Sequence, residues 1–323
     1  MAEQIDSSTM DSSQLDARRD EGTRMERRVV MKSIAAVTAL AAMSAGRAEE
    51  QPSPHAKVRG PGSFITAADG TRLFYRDWGE GKPVLFCHPW GLNTDIWEYQ
   101  LTELSDRGVR CIAYDRRGHG RSEDPGCGYD YDTLAADLAA VIEQLDLRDI
   151  TLVGYSMGSG EAIHYISRYG RDRISRLALV SPVAPFRDDR QRNDSIIVAL
   201  KKDRPAFLTA GLSLFLGGAS AVSPPMAQWV LQQFLQTSPK ATIECTRTIG
   251  GDDHRPLMKA LAIPVLIIQG DHDEVCPLEL TGRKLAQGIA GSELRVYEGA
   301  PHGIALTHRE RFTRDLIGFV GSG

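Results

Sequence analysis

The stretch that decides the fold reads Ile150-Thr151-Leu152-Val153-Gly154-Tyr155-Ser156-Met157-Gly158, with a helical pattern over Glu161 to Tyr169 after it. The apolar run at its start predicts a buried strand, and the pattern after it predicts a helix. A serine in the sharp turn between strand and helix projects its hydroxyl above the sheet, and glycines flank it because a Cβ would clash there. The helix N-terminus also favours negative charge that develops beside it. Ser156 is therefore the predicted nucleophile of an acyl-transfer site.

A serine hydroxyl needs a base to remove its proton, and the base needs an acid to orient it. On a strand–turn–helix scaffold of this kind, the chain order is serine, acid, histidine. His302, in Ala300-Pro301-His302-Gly303, directly follows a predicted late strand and is the favoured base. His308, at the predicted start of the last helix, is the alternative.

Two carboxylates follow the predicted strand Val265–Gln269, in the run Gly270-Asp271-His272-Asp273. Spacing alone does not settle which of them reaches the base. Asp273 is favoured as the triad acid because it lies further from the strand end and can turn toward His302. Asp271 is expected to bind loop amides.

The tetrahedral intermediate of acyl transfer needs two backbone N–H donors, and the loss of one typically costs about 10²–10³-fold in rate. Met157, after the nucleophile, supplies one of them. The other comes from the loop His88-Pro89-Trp90-Gly91. Pro89 has no N–H, so Trp90 is the predicted donor. Trp90 and Met157 are thus the predicted oxyanion hole and substrate contacts, and His88 is expected to hold the loop in shape.

A charged loop with glycines follows the predicted strand Val109–Tyr114, in the run Asp115-Arg116-Arg117-Gly118-His119-Gly120-Arg121-Ser122. Phosphate-binding loops have the pattern Gly-x-x-x-x-Gly-Lys-Ser/Thr between a strand and a helix, which this run lacks. The loop is therefore predicted to be a scaffold with internal ion pairs.

From Gly62 onward, short apolar runs alternate with amphipathic helical stretches. This alternation predicts an α/β fold with a mostly parallel sheet flanked by helices. Phe64–Thr66 and Leu73–Tyr75 flank Asp69-Gly70, which predicts a hairpin at the start. Residues 184–260 carry helical patterns and no clear strand. They are predicted to form a cap over the carboxyl ends of the strands, where ligands bind, between core segments 62–183 and 261–323.

Composition excludes several classes of function. The 323-residue chain has a formal net charge of −4 and 7% aromatic residues, unlike a basic nucleic-acid binder. Its five cysteines form no CxxC pair and no Cys/His spacing of a zinc site, so neither a metal nor a cofactor is predicted. Cys87 and Cys111 lie in strand-like runs and are expected to be small buried hydrophobes. The expected partner is a small-molecule ester, and self-association into a homo-oligomer stays open.

The N-terminus differs from the body. Residues 1 to about 24 are polar, and Arg27-Arg28-Val29-Val30-Met31-Lys32 precedes an apolar run from Ile34 to about Ala45. A basic start, a short apolar stretch and a small-residue end predict a signal peptide, and the paired arginines predict the twin-arginine route. Residues 1–48 are thus a predicted tail and export signal to the periplasm, and residues 49–61 a linker. A cytoplasmic protein with an amphipathic tail, or an uncleaved membrane anchor, is the alternative.

The body, from about Gly62 to Val320, resembles the cofactor-free haloperoxidase and aryl-esterase group of the α/β hydrolases. The matching stretches are Asp69-Gly70-Thr71, Lys82-Pro83-Val84-Leu85-Phe86, Tyr114-Asp115-Arg116-Arg117-Gly118, Gly154-Tyr155-Ser156-Met157-Gly158, Gly270-Asp271-His272-Asp273 and Ala300-Pro301-His302-Gly303. The resemblance implies an eight-stranded α/β-hydrolase fold with a helical cap. It also implies a Ser156–His302–Asp273 triad and an oxyanion hole from Trp90 and Met157.

The resemblance also implies hydrolysis of small aryl and alkyl esters, and in many members peracid formation from hydrogen peroxide without metal or haem. The family usually has His-Gly-Trp, whereas this chain has His88-Pro89-Trp90-Gly91, which favours ester hydrolysis over peracid chemistry. Lactone hydrolysis would use the same triad. A non-catalytic binding protein on this scaffold is the alternative of a different class, and such a protein normally lacks a triad member.

Overall fold

The structure is a computed structural model that describes residues 63–183, 185, 190–218 and 220–321. The predicted tail and twin-arginine signal over 1–48 and the predicted linker over 49–61 lie outside the described residues. Positions 62 and 184 also lie outside them, so the predicted boundaries of core and cap stay predictions.

Within the described residues, eight strands form one sheet. They are β1 (Phe64–Thr66), β2 (Arg72–Trp78), β3 (Pro83–Cys87), β4 (Arg110–Tyr114), β5 (Ile150–Tyr155), β6 (Ile174–Val180), β7 (Val265–Gly270) and β8 (Glu293–Tyr297). Their spatial order is β1-β2-β4-β3-β5-β6-β7-β8. Only the β1–β2 and β2–β4 pairs are antiparallel, so β3 to β8 run parallel. The predicted mostly parallel eight-stranded α/β sheet is confirmed, as is the opening hairpin.

Nine helices connect or flank the strands in the described part of the chain. They are α1 (Glu98–Ser105), α2 (Tyr131–Gln144), α3 (Met157–Tyr169), α4 (Arg190–Leu216), α5 (Pro224–Gln236), α6 (Pro239–Gly251), α7 (Gly282–Gly288), α8 (Ile304–Thr307) and α9 (Arg309–Gly321). Short 3₁₀ segments lie at Thr94–Trp97, Arg255–Ala260 and Leu278–Leu280.

The core lies on both faces of the sheet, because alternate side chains of a strand point to opposite faces. In β3, Val84 and Phe86 enter one apolar cluster with Trp97, whereas Leu85 and Cys87 enter a second cluster. All these β3 side chains are fully buried, as in a parallel strand covered by helices on both faces. Cys87 and Cys111 are buried free thiols, which confirms their predicted environment.

Helices α4, α5 and α6, here called the cap helices, connect β6 to the 3₁₀ segment before β7. Ser223 and Ser238 start α5 and α6, because each serine side chain accepts the N–H of the residue three positions on. A proline at the first helical position follows each cap, where its missing N–H costs nothing. Helix α4 is interrupted at Asp203, whose extended backbone and side-chain acceptor begin a new helical stretch.

Among the described residues, no helix has both the length and the apolar composition that a membrane-spanning segment needs.

Candidate active site

Ser156 occupies the sharp turn between β5 and α3. Its backbone has φ 52° and ψ −117°, a region that a non-glycine residue rarely adopts. A Cβ on Gly154 would lie 2.5 Å from the Gly158 carbonyl oxygen, and one on Gly158 would lie 2.4 Å from the Cys87 carbonyl oxygen. Both glycines therefore let the turn pack against β3 and the start of α3. The strained turn brings the Ser156 hydroxyl to the carboxyl end of the central strand, as predicted from the sequence.

The structure brings Ser156, His302 and Asp273 into one hydrogen-bonded chain. His302 Nε2 lies 3.0 Å from Ser156 Oγ, and His302 Nδ1 lies 2.7 Å from Asp273 Oδ2. All three residues are buried. This is the geometry in which the imidazole takes the serine proton while the carboxylate fixes its tautomer.

Further hydrogen bonds hold the acid and the base in place. The Asp273 carboxylate accepts the N–H groups of Val275 at 3.0 Å and Cys276 at 2.7 Å. The carbonyl oxygen of His302 accepts the Tyr155 hydroxyl at 2.5 Å and the Ser181 hydroxyl at 3.2 Å. The acid and the base are therefore positioned before any substrate arrives, which is what electrostatic preorganisation requires.

The other candidate acid and base lie elsewhere. Asp271 is exposed, and its Oδ1 accepts the N–H of Gly299 at 2.7 Å, a loop amide as predicted. His308 precedes α9, with its ring 6.2 Å from that of Tyr297. Among the described residues, Asp273 and His302 are thus the pair that reaches Ser156.

Met157, one of the two predicted oxyanion donors, has its backbone and its side chain in different surroundings. The N–H of Met157 is the first of α3, and such a group has no partner within its own helix. The Met157 side chain is fully buried in a small cluster with Tyr129 and Tyr131 and does not line the cavity. The side chain of Met157 is therefore not a substrate contact, and the role left for this residue is that of a backbone N–H donor.

His88 fixes the peptide that carries the Trp90 N–H. His88 Nδ1 lies 2.8 Å from the Pro89 carbonyl oxygen, and its Nε2 accepts the N–H of Arg116 at 2.9 Å. The Pro89 carbonyl and the Trp90 N–H belong to one trans peptide and point in opposite directions. Because the Pro89 carbonyl faces His88, the Trp90 N–H points away from His88. An oxyanion donor in this loop needs that orientation.

Burial, with the nearby charge of Arg116, lowers the pKa of His88 well below its ordinary value. The ring therefore stays neutral, with Nδ1–H as donor and Nε2 as acceptor. We expect His88→Ala to lower kcat for a small ester by about 10-fold or more, because the Trp90 donor loses its orientation. His88→Asn should recover part of that loss, since its amide offers both a donor and an acceptor. Equal loss in both variants, measured with folded proteins, would contradict the positioning role.

The charged loop is a scaffold with ion pairs, as predicted. Arg116 and Glu161 form a fully buried pair at 2.6 Å, and Arg117 pairs with Asp137 at 2.6 Å. Burial raises the pKa of Glu161. The sequence places Glu161 at a helix start but does not show its partner, because no local pattern shows which arginine a helical carboxylate will meet.

His119, in the same loop, is buried, and desolvation with the charge of Arg116 lowers its pKa to about 3. An unfolded chain takes up this proton near pH 6.5, whereas the folded protein does so only near pH 3. Its contribution to stability is therefore present above pH 6.5 and is lost as pH falls toward 3, by up to about 1.4 kcal/mol per pH unit. We expect His119→Asn to flatten this acid limb in denaturant unfolding, and His272→Asn, at an exposed site, to leave it unchanged.

A cavity of about 210 Å³ opens at Ser156 and His302. Its walls come from the loop around Trp90 and from the cap helices, and they are mostly apolar: Phe207, Leu208, Phe215, Phe234 and Ile249. Sequence reasoning named Trp90 for this wall and missed the cap residues. The only signal for them was the helical pattern of the cap, which does not show which helix face meets the site.

The Trp90 loop is bonded to the cap helices. The Trp90 indole N–H donates to the Thr242 carbonyl oxygen at 3.1 Å, and the Thr237 hydroxyl donates to the Gly91 carbonyl oxygen at 2.7 Å. The Trp90 and Phe234 rings lie 6.0 Å apart. The predicted oxyanion loop and the cavity wall are thus one connected structure.

Comparison with known proteins identifies the family of this chain. Residues 82–309 match the α/β hydrolase fold family. The chain is 40% identical over 272 residues to a non-heme chloroperoxidase from Kitasatospora aureofaciens, covering 80% of this chain and 98% of that protein. It is 34% identical over 277 residues to a bifunctional esterase/perhydrolase from Acinetobacter calcoaceticus, covering 80% and 99%.

Among solved structures, an esterase from Exiguobacterium antarcticum superposes with a TM-score of 0.78 at 36% identity, covering 81% of this chain and all of that one. The family match, the relatives and the eight-stranded sheet therefore agree on one assignment. The chain belongs to the α/β hydrolase fold family, in the group of non-heme haloperoxidases and esterases.

Proposed function

We propose that the protein is a serine hydrolase that cleaves small carboxylic esters through an acyl-enzyme on Ser156. The observation that carries the proposal is the continuous Asp273–His302–Ser156 hydrogen-bond chain at the mouth of an apolar cavity. The esterase names among the relatives support the same reaction.

The mechanism follows from the positions of these groups. His302 Nε2 takes the Ser156 proton as Oγ attacks the ester carbonyl, and Asp273 stabilises the imidazolium. The N–H groups of Trp90 and Met157 donate to the oxyanion of the tetrahedral intermediate. His302 then protonates the leaving alcohol, and the acyl group stays on Ser156 until His302 activates a water that releases the acid.

The cavity favours short or aromatic acyl groups. Its volume of about 210 Å³ is below the roughly 300 Å³ at which drug-sized ligand pockets begin. The wall is mostly apolar, with Arg192, Asn193 and Thr246 among its polar side chains. We therefore expect acetate, propionate and benzoate esters to be cleaved with higher kcat/KM than long-chain esters.

A substrate panel with mass spectrometry tests the proposal. Purified enzyme mixed with p-nitrophenyl acetate and quenched early should carry one acetyl group on the peptide that contains Ser156. Turnover without any acyl adduct, or an adduct on another residue, would overturn the acyl-enzyme route. The panel should include a lactone, which is a cyclic ester for the same nucleophile.

Hydrogen peroxide in the panel tests a second candidate activity, perhydrolysis, which the bifunctional relative favours by name. Peroxide would replace water in attacking the acyl-enzyme and would release a peracid. We propose perhydrolysis as a side activity of the enzyme in which Pro89, which lines the cavity, is unaltered. The ratio of released peracid to released acid should fall as hydrogen peroxide is diluted, because peroxide and water compete for the same acyl-enzyme.

We also propose export through the twin-arginine route, because Arg27-Arg28-Val29-Val30-Met31-Lys32 precedes a short apolar run. Expression of the full chain in a bacterium, with fractionation and mass spectrometry of the N-terminus, tests this. A periplasmic protein that begins near Glu49 is the expected result, and Arg27→Lys with Arg28→Lys should keep the protein in the cytoplasm. A full-length cytoplasmic protein from the unaltered chain would overturn the proposal.

A further inference from the structure

Three metal-ligating side chains meet away from the catalytic triad. His164 lies on α3, and Asp252 and His254 lie just beyond the end of α6. His164 Nε2 is 2.5 Å from Asp252 Oδ2, and His254 Nδ1 is 3.1 Å from the same oxygen. One ligand atom from each residue lies within 4.8 Å of the other two. The two imidazoles thus converge on one carboxylate.

The buried nitrogen of His254 provides a second and independent observation. His254 is only 2% exposed, and its Nδ1 has no hydrogen-bond partner among the described residues. Its 3.1 Å approach to Asp252 lacks the alignment of a hydrogen bond. A buried polar atom without a partner is unfavourable in a folded protein, so this nitrogen has a reason to bind a cation.

The rings of the cluster are held in place. Tyr131 stacks on His164 with ring centres 4.9 Å apart, and it meets His254 edge-on at 5.2 Å. The two imidazole planes are nearly perpendicular, at 84°. The ligands would therefore lose little further freedom on binding, which favours affinity.

The outer nitrogen of His164 faces a second carboxylate. Its Nδ1 lies 3.7 Å from Asp132 Oδ1. Metal-bound histidines usually present their other ring nitrogen to a carboxylate or carbonyl, which fixes the tautomer and raises the basicity of the ligand. Asp132 is placed to do this when Nε2 of His164 binds a metal.

We propose that His164, Asp252 and His254 bind one divalent transition-metal ion of the zinc class. Zinc bonds of about 2.0–2.1 Å in tetrahedral geometry place two ligand atoms about 3.3 Å apart. The 3.1 Å separation of His254 Nδ1 and the Asp252 oxygen already fits this spacing. The 2.5 Å pair must open by less than about 1 Å, as the metal replaces the proton that His164 donates to Asp252.

The site is distinct from the proposed ester hydrolysis. It joins α3 of the core to the end of α6, and its ion would stabilise that junction rather than touch the reacting atoms. The sequence predicted no metal site, because it shows no local cysteine and histidine spacing. Such spacing cannot reveal this cluster, since His164 is 88 positions from Asp252. The proposed metal site does not depend on the esterase assignment, and the esterase assignment does not depend on the metal site.

Metal titration of the full-length protein tests the site. After dialysis against a chelator, we expect one equivalent of Zn²⁺ to bind by calorimetry, and Co²⁺ to give the visible absorption of a tetrahedral site. Zinc about 100-fold above its Kd should raise Tm by roughly 5 °C. His254→Gln and Asp252→Asn should each abolish the binding and the rise in Tm, with circular dichroism and ester turnover showing that the variants are folded.

Matched controls separate this cluster from other ligands. His302→Gln removes the other buried His–Asp pair, and Cys127→Ser removes the exposed thiol, so both variants should still bind one equivalent. The proposal is overturned if the unaltered protein binds no zinc. Binding that persists in His254→Gln and Asp252→Asn, or that disappears in either control, would also overturn it.

Discussion

Ser156→Ala should lower kcat for p-nitrophenyl acetate by about 10⁴–10⁶-fold, the range expected when the nucleophile of a triad is removed. The remaining His302 and Asp273 have no covalent partner, so only water attack with oxyanion stabilisation is left. Substrate binding should change little, because the cavity wall is mostly apolar and its contacts with substrate do not depend on the hydroxyl. Single-turnover and steady-state rates with purified protein measure both effects.

Ser167→Ala is the matched control for this experiment. Ser167 is an exposed serine on the same helix, α3, and its loss should leave kcat within about 2-fold. Thermal unfolding should show that Ser156→Ala is folded, because the hydroxyl that it removes is not a packing group. Ester turnover above 1% of normal in folded Ser156→Ala would refute the assigned nucleophile.

Asp273→Asn should lower kcat by about 10³–10⁴-fold while leaving the fold intact, because the amide is nearly isosteric with the carboxylate. An amide can donate to His302 Nδ1 and hold the ring in the wrong tautomer, with a proton on Nε2 facing Ser156. It also no longer stabilises the imidazolium. The loss should appear in kcat, since the interaction develops fully only in the transition state.

Asp271→Asn distinguishes the two carboxylates that the sequence offers. Asp271 is exposed and bonds the Gly299 N–H, so its amide variant should lose less than about 3-fold in kcat. Comparable losses in Asp271→Asn and Asp273→Asn would mean that the loop, rather than one acid, supports the base. A loss confined to Asp271→Asn would reassign the acid.

The parts of the site that follow strand ends could be predicted from the sequence. Ser156, Asp273 and His302 each lie just after a strand of a parallel sheet, and the carboxyl ends of such strands meet at one edge. Their order along the chain fixed their roles. The choice between Asp271 and Asp273 needed the structure, because it depends on how a loop turns after Gly270.

Helix boundaries followed tertiary contacts more than propensity. The sequence predicted α3 from Glu161, whereas it begins at Met157. Gly158 and Gly160 are weak helix formers, costing up to about 1 kcal/mol each relative to alanine. The close approach of Gly158 to Cys87 in β3 requires glycine there, and packing against the sheet stabilises the helical turn.

The contacts of the cap helices with the cavity were the hardest to predict from the sequence. Its helical character could be read from the pattern, but Phe207, Phe215 and Phe234 could not be assigned to the cavity. Which face of a helix meets the site depends on where the whole helix packs, and α4 also changes direction at Asp203. The His164–Asp252–His254 cluster was missed for the same reason, since it forms only when distant segments meet.

The bonds from Trp90 to Thr242 and from Thr237 to Gly91 limit how freely this scaffold can be re-engineered. An engineer who exchanges the region between β6 and β7 to change substrate preference also replaces two anchors of the loop that carries an oxyanion donor. A change of substrate selectivity made in this region will therefore also change turnover. Grafts that keep the two carbonyl–donor contacts should retain catalytic rate, and grafts that omit them should need compensating changes near Trp90.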